Sequence, residues 1–480
     1  MFGHPKGLRV LFFTELWERL SYYGMRAILT LFLVASVEDG GHGMTTEKAG
    51  AIYGLYTAFV YLIALPGGWI ADRLLGLRRT VFVGGCIIAA GHFSMAVPTT
   101  TTFYLGLIFI VIGTGFLKPN ISAMVGDLYP EGGARRDAGY SIYYMGINIG
   151  AFIGPLICGF LGEKVGWHWG FGAAGVGMVL GVIQYQMDQK ALGNAGEREI
   201  KGETQAQAKG LLMRVLGGIA VVSGIVGGLL AANIISLPIE RVAKSTGVFI
   251  VAIAVLYFFR LLVSSEFNQV EKKRIWVIVV LFFSSAIFWG GFEQAGSSMN
   301  LFAERLTDLT VGSSELPASW LQSVNPLFII ILAPIVGWIW LALKDRQPSI
   351  PAKFAIALLL LATGFFVVAW GAVNASETNK VSPAWLICAY FFHTAGELCL
   401  SPVGLSSVTK LAPRRLVGQM MGAWFTATAL GNLLAGLFGG MFDSLPIPKL
   451  FTGVALLAVG AAFVLAAITK PVKKLIGNIE

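Results

Sequence analysis

Glu15-Leu16-Trp17-Glu18-Arg19-Leu20-Ser21-Tyr22-Tyr23-Gly24-Met25-Arg26 lies inside an otherwise apolar stretch that runs from Leu8 to Val37. A stretch of that length and apolarity predicts a membrane-spanning helix, since about 20 such residues cover a bilayer core. Charges in such a helix are costly, roughly 2.5 to 3.5 kcal/mol each on insertion scales. Glu15, Glu18, Arg19 and Arg26 are more charge than a mere anchor would keep. Spacing at i, i+3 and i+4 puts Glu15, Glu18 and Arg19 on one helix face. Two acids and a base on a buried face point to a proton or ion pathway. The alternative is an interhelical salt bridge that only holds helices together.

The rest of the chain has the same character. Of its 480 residues 56% are hydrophobic and only 13% charged, and the mean hydropathy is +0.73. A soluble protein carries about 25% charged residues. Apolar runs recur along the chain as continuous blocks, so the fold class is an all-α polytopic membrane protein and a β-barrel is excluded. The start, Met1 to Lys6, leads straight into the charged span and lacks a small-residue cleavage site, so no removable signal peptide is expected. Cys86, Cys158, Cys388 and Cys399 all lie in apolar segments, as packed thiols do, and the five histidines show no ligand spacing. No metal and no cofactor are expected.

The net charge of +9 is not a nucleic-acid signature, because the bases alternate between connections. Lys6 and Arg9, then Arg73, Arg78 and Arg79, then Arg135 and Arg136 fall on one side. Lys190, Arg198, Lys201, Lys209 and Arg214 follow, then Lys272 to Arg274, Lys344, Arg346 and Lys353, Lys410, Arg414 and Arg415, and finally Lys470, Lys473 and Lys474. The intervening connections hold few bases. This is the positive-inside pattern, with both termini cytoplasmic.

Apolar runs predict fourteen spans, near 8–37, 48–72, 79–98, 101–125, 138–162, 168–188, 211–232, 246–264, 275–302, 316–343, 353–373, 383–409, 417–440 and 450–469. The polar stretch Asp188 to Gly210 reads as a cytoplasmic linker between two halves. Gly68-Trp69-Ile70-Ala71-Asp72-Arg73 with Arg78-Arg79 in the first half has a distant echo in Gly337-Trp338 with Lys344-Asp345-Arg346 in the second. The first version resembles the loop motif of the major facilitator superfamily. That resemblance implies two six-helix bundles around a central cavity, plus an inserted helix pair. The expected domains are 1–190 for the first bundle, 191–270 for the linker and inserted pair, and 271–480 for the second bundle.

Three further charges lie at membrane depth: Lys118, Glu293 and Glu397. Helical rise puts Arg26 about 17 residues and Glu293 about 18 residues into ascending spans. Lys118 and Glu397 lie about 16 and 14 residues below the outer ends of descending ones. Arg26 thus matches Glu293 in depth, and Lys118 matches Glu397, which predicts two gate salt bridges across the cavity. Arg26 and Lys118 facing Glu397 would also complement a zwitterion. Tyr22, Tyr23, Tyr61, Trp289 and Trp424 could wall the site, and Asn148 and Asn325 could hydrogen-bond an amide backbone.

The opening stretch resembles the first-helix signature of proton-dependent oligopeptide transporters. Gly113-Thr114-Gly115-Phe116-Leu117-Lys118-Pro119-Asn120 and Tyr143-Tyr144-Met145-Gly146-Ile147-Asn148-Ile149-Gly150-Ala151-Phe152 are similar to later signatures of that family. So are Phe292-Glu293-Gln294-Ala295-Gly296-Ser297-Ser298 and Gly396-Glu397-Leu398-Cys399-Leu400-Ser401-Pro402 in the second half. Leu20 stands where the signature usually has Phe, a small packing change. Animal members carry a His after Ala51-Ile52-Tyr53; here Gly54 follows. The resemblance implies proton coupling by carboxylates, with Glu15, Glu18, Arg19 and Glu293 in that role. It also implies peptide binding by Arg26, Tyr22, Tyr23, Tyr61, Lys118, Asn148, Trp289, Asn325, Glu397, Ser401 and Trp424.

The expected function is a proton-coupled symporter that imports di- and tripeptides across a bacterial inner membrane, working as a monomer and driven by the proton gradient. A proton-driven carrier of nitrate or another small anion is the alternative within transporters, but an anion alone needs no acid such as Glu397 to hold an ammonium. An intramembrane enzyme would need a nucleophile or metal set, and no His-x-x-x-His or Gly-x-Ser-x-Gly lies at membrane depth. A channel would show repeated filter-like segments.

Overall fold

A computed structural model of the chain describes residues 3–198, 200 and 202–476, without the side chains of Asp345 and Ile476. The Met1–Phe2 start, the base Lys201 and the Asp345 side chain of the loop echo lie outside the described residues. Fourteen long helical stretches follow one another among those described. They are α1 (Lys6–Val34), α2 (Thr46–Leu75), α3 (Leu77–Ala96), α4 (Thr100–Asp127), α5 (Gly133–Val165), α6 (Trp167–Asp188) and α7 (Gly202–Ala231). Then come α8 (Ile239–Val263), α9 (Gln269–Leu306), α10 (Ala318–Leu343), α11 (Ile350–Asn374), α12 (Ala384–Leu411), α13 (Arg414–Gly439) and α14 (Ile447–Ile476). Twelve are long and apolar enough to cross a membrane on their own terms; α1 and α6 are not. The charges of α1 exclude it from that set. It is held instead by neighbours, since α1 packs against both α5 and α6.

Small residues make that packing close. Cβ atoms at Gly150 and Gly154 would lie 2.3 and 2.4 Å from the carbonyl oxygens of Leu16 and Leu20, so α5 presses its backbone onto α1 at the charged turn. In the second half α11 packs on α12 and α14, and α9 on α13 and α14. The inserted helices behave differently. α8 leans on α2 and α13, whereas none of the most apolar stretch of α7 is buried, and an all-round apolar surface of this kind suits lipid. Helix α7 also begins at Gly202, well before the expected 211, so the linker is short. Arg78 donates to the carbonyls of Gly193 and Ala195 (2.8 Å for Ala195) and to Glu197 at 2.8 Å, and Asp127 accepts from the Gly196 amide at 3.0 Å. The linker is therefore docked on the first helices.

The end of the bundle at which α1 begins is called here the terminal end. Among the described residues, hydrogen bonds and ion pairs between α1–α6 and α9–α14 all lie in the far half. Glu163 on α5 accepts from the backbone amides of Ala318 (2.7 Å) and Ser319 (3.1 Å) and from the Ser319 hydroxyl, at the entry to α10. Trp320 donates to the Leu156 carbonyl at 2.9 Å and Ser323 to that of Phe152 at 2.7 Å. On another side, Gly50 and Gly54 of α2 meet Gly436 of α13 and Gly440 just beyond its end, where a Cβ at Gly50 would clash with the Gly436 oxygen.

Helix α9 is not continuous. A 3-10 turn at Glu293–Gly296 and an irregular Ser297 (φ −126°, ψ −101°) break it at membrane depth. Carbonyls freed by such a break need partners. Thr30 donates to the Gly296 carbonyl at 2.6 Å and Tyr53 to that of Glu293 at 3.3 Å, so hydroxyls of the first half satisfy the break in the second.

Candidate functional site

Helix α1 places its charges at two levels. At the lower level Glu15, Glu18 and Arg19 are almost fully enclosed, at 1%, 0% and 2% exposure. The Arg19 guanidinium grips Glu18 with two nitrogens, Nη2 at 2.5 Å from Oε1 and Nε on Oε2, and its Nε lies 3.3 Å from Glu15 Oε1. A bidentate hold on Glu18 leaves Glu15 the more loosely bound acid. Tyr143 from α5 donates to the free Glu15 oxygen at 2.7 Å. The Arg19 guanidinium carbon also lies 4.9 Å from the Tyr22 ring centre, a cation–π contact. One cation thus serves two acids, Glu18 closely and Glu15 more loosely.

At the upper level Arg26 pairs with Glu293, and its guanidinium stacks on Tyr23 at 4.9 Å. Glu293 is the first residue of the break in α9. Arg26 Nε, Tyr22 Oη and Trp289 Nε1 are buried with no hydrogen-bond partner in the protein, among the described residues. Unsatisfied donors at membrane depth are costly, and a polar ligand at this level would offset that cost.

The sequence-derived pair of Lys118 with Glu397 is not formed in this conformation. The Lys118 ammonium sits 4.3 Å from the Tyr61 ring centre. Its charged surroundings are Arg19, Glu18, Glu15 and Glu293. Glu397 instead accepts from Asn325 Nδ2 at 3.4 Å, and the charges it feels are Glu293 and Arg26. Helical rise fixes height along the bundle and says nothing about lateral separation, which is why equal depth did not bring the two side chains together. Lys118 therefore stands between the lower acids and Glu293, and Glu397 stands with the upper pair.

The other sequence-derived residues fall in two sets. Asn325 also donates to Thr394 at 2.9 Å, and Ser401 lies one turn beyond Glu397, half-buried. Asn148 donates to the Tyr144 carbonyl at 2.9 Å and is buried. Trp424 packs against Phe354, 6.2 Å between ring centres, and fills the notch at Gly404; this is a core position of the second half. Sequence reasoning passed over Tyr143, Tyr53 and Glu163. Tyr143 opens one of the quoted signatures and Tyr53 precedes Gly54, but a signature does not say which hydroxyl meets a carboxylate, and Glu163 beside Lys164 reads as a surface charge. All four cysteines are free, and no metal-holding group occurs among the described residues.

The family profile PTR2, described as the POT family, matches residues 78–454. The chain belongs to the POT family. It is 42% identical over its whole length to the peptide transporter YePEPT of Yersinia enterocolitica, covering 96% of that protein. It is 35% identical to a di-/tripeptide transporter of Lactococcus lactis subsp. cremoris, across 100% of this chain and 98% of the other. A solved peptide transporter POT in complex with sulfate superposes with a TM-score of 0.92 at 40% identity, covering 99% of this chain and 96% of that one. This POT-family chain is accordingly a multi-pass membrane protein with the major facilitator architecture, and the family resemblance read from its signatures holds.

Proposed function

We propose that this POT-family chain is a proton-coupled symporter that imports di- and tripeptides across the bacterial inner membrane by alternating access, as a monomer, with both termini cytoplasmic. The reading divides the chain into a first bundle (1–190), a linker with the inserted pair (191–270) and a second bundle (271–480). One observation carries the reading: the upper level offers a cation and an acid on opposite halves, Arg26 of α1 and Glu397 of α12, within electrostatic reach of each other. A peptide is a zwitterion, so its carboxylate suits Arg26 and Lys118 and its ammonium suits Glu397. Asn148 and Asn325 supply amide groups for a peptide backbone, and the aromatic rings leave room for varied side chains.

The lower level supplies the drive. Two acids share Arg19, and two nearby carboxylates cannot both ionise freely. Peptide entering from the far side would compete with Glu293 for Arg26, which couples substrate to the seal of the far half. No cofactor enters this scheme, since the proton gradient is the source of free energy. On this reading the far end, where the halves are hydrogen-bonded together, is the outer one, and the conformation described here faces the cytoplasm. The test is counterflow and uptake of labelled dialanine in liposomes with and without an inside-alkaline pH gradient. Gradient-dependent accumulation is expected; exchange without any response to the gradient would overturn the coupling, and no movement of dialanine would overturn the substrate class.

A further inference from the structure

Tyr143 is enclosed between α1 and α4 at 4% exposure. Its hydroxyl donates to Glu15 Oε2 at 2.7 Å and lies 3.3 Å from the Ser122 hydroxyl. Ser122 is half-buried, and the next residue, Ala123, is exposed. Ser122 stands five residues before the terminal-end tip of α4 at Asp127, roughly 7 to 8 Å along the axis. Glu15 stands nine residues inside α1, roughly 13 to 14 Å from its start. The three oxygens therefore step from an enclosed carboxylate toward the terminal face. The groups around this line are Glu18 and Arg19 on α1, Lys118 on α4, and Tyr140 with Arg136 on α5. From α6, Gln184 holds Thr14 and Asp188 pairs with Arg9. None of these places another hydroxyl on the free oxygen of Glu15.

We propose that Tyr143, with Ser122, relays the coupled proton between Glu15 and water at the terminal face. The assignment rests on the proton-coupled reading above and extends it to the route the proton takes. In release, the protonated Glu15 carboxyl passes its hydrogen from Oε2 to the Tyr143 oxygen as the Tyr143 hydrogen moves to Ser122. Ser122 in turn gives its own hydrogen to a water molecule. One proton leaves, Glu15 is left as carboxylate, and neither hydroxyl keeps a charge. The resulting arrangement, with Tyr143 donating to the carboxylate, is the one the structure holds. The Lys118 carbonyl, 3.1 Å from the Ser122 hydroxyl, gives that hydrogen a second resting place between turnovers.

The test uses the full chain in liposomes, comparing gradient-driven dialanine uptake with counterflow at equal pH. In Tyr143→Phe the ratio of driven uptake to counterflow should fall on the order of tenfold, with the acidic limb of the uptake–pH profile displaced; Ser122→Ala should lower the ratio severalfold. A ratio equal to wild type in either variant overturns the relay. So does a parallel fall of both activities, because lost packing would depress them together. Wild-type protein that ignores the gradient would instead overturn the coupled reading itself.

Discussion

The two acids nearest Arg19 are not equivalent. Glu18 is gripped bidentately, whereas Glu15 shares Arg19 at 3.3 Å and also receives Tyr143. Replacing Glu18 by Gln keeps the shape and removes the charge that Arg19 balances, so uphill accumulation of dialanine should be lost while exchange between equal pools remains measurable. Normal accumulation in that variant would contradict a coupling role. Glu397 makes a separate prediction. Loss of one charge-assisted hydrogen bond, about 1.5 to 3 kcal/mol, corresponds to roughly tenfold to a hundredfold in affinity. Wild-type protein should therefore prefer dialanine over N-acetyl-dialanine, and Glu397→Gln should shrink that preference in a competition assay. Equal competition by the two peptides in wild type would remove Glu397 from the ammonium site. The sequence made all these charges legible because each is expensive in a membrane and so stands out. The hydroxyls of Tyr143 and Tyr53 stayed hidden, since tyrosine is common in membrane helices and only the fold shows which one meets a carboxylate. The pairing of Lys118 was misjudged for a related reason: depth can be counted from a sequence and sideways distance cannot.

Among elements, the interrupted α9 and the entry to α10 carry most of the hydrogen bonds between halves, while α2 and α13 meet by close packing. A buried ion pair that loses one partner strands the other charge at a cost of about 3 to 5 kcal/mol. Glu293→Gln leaves Arg26 so stranded, and a shift of that size is enough to invert a two-state population. Label pairs spanning the far ends of α5 and α10 should read longer mean distances in Glu293→Gln, the population moving outward-open; unchanged distances would rule out a gating role. Among the described residues Glu163 forms no ion pair and acts through backbone amides instead. Its carboxylate caps the amides of Ala318 and Ser319, and removing such a cap costs about 0.5 to 2 kcal/mol. Hydrogen exchange at those two amides should accelerate about twofold to thirtyfold in Glu163→Ala, and unaltered protection would show that the cap is dispensable. Spans were readable from apolar length. The break at Glu293–Gly296 was not, because its reason lies in Thr30 and Tyr53, which reach it only after folding. Glu163 beside Lys164 at the end of a span looks like an ordinary surface charge, and so its capping role left no trace in the sequence.

For the whole molecule, sealing one end while the other stays accessible requires contacts that exclude water and yet come apart every cycle. The meeting of Gly50 and Gly54 with Gly436 and Gly440 shows how both demands are met. At these glycines the two backbones touch directly, close enough that a methyl group would not fit, while Ala51, Leu55 and Ala58 pack beside them. A leucine seam would re-wet side chains worth roughly 1.5 to 3 kcal/mol apiece at each opening. Bare glycine surfaces return almost no hydrocarbon to water when they part. Glycines at such a joint therefore let two helices close tightly and part again with less apolar surface to re-wet than larger side chains would expose.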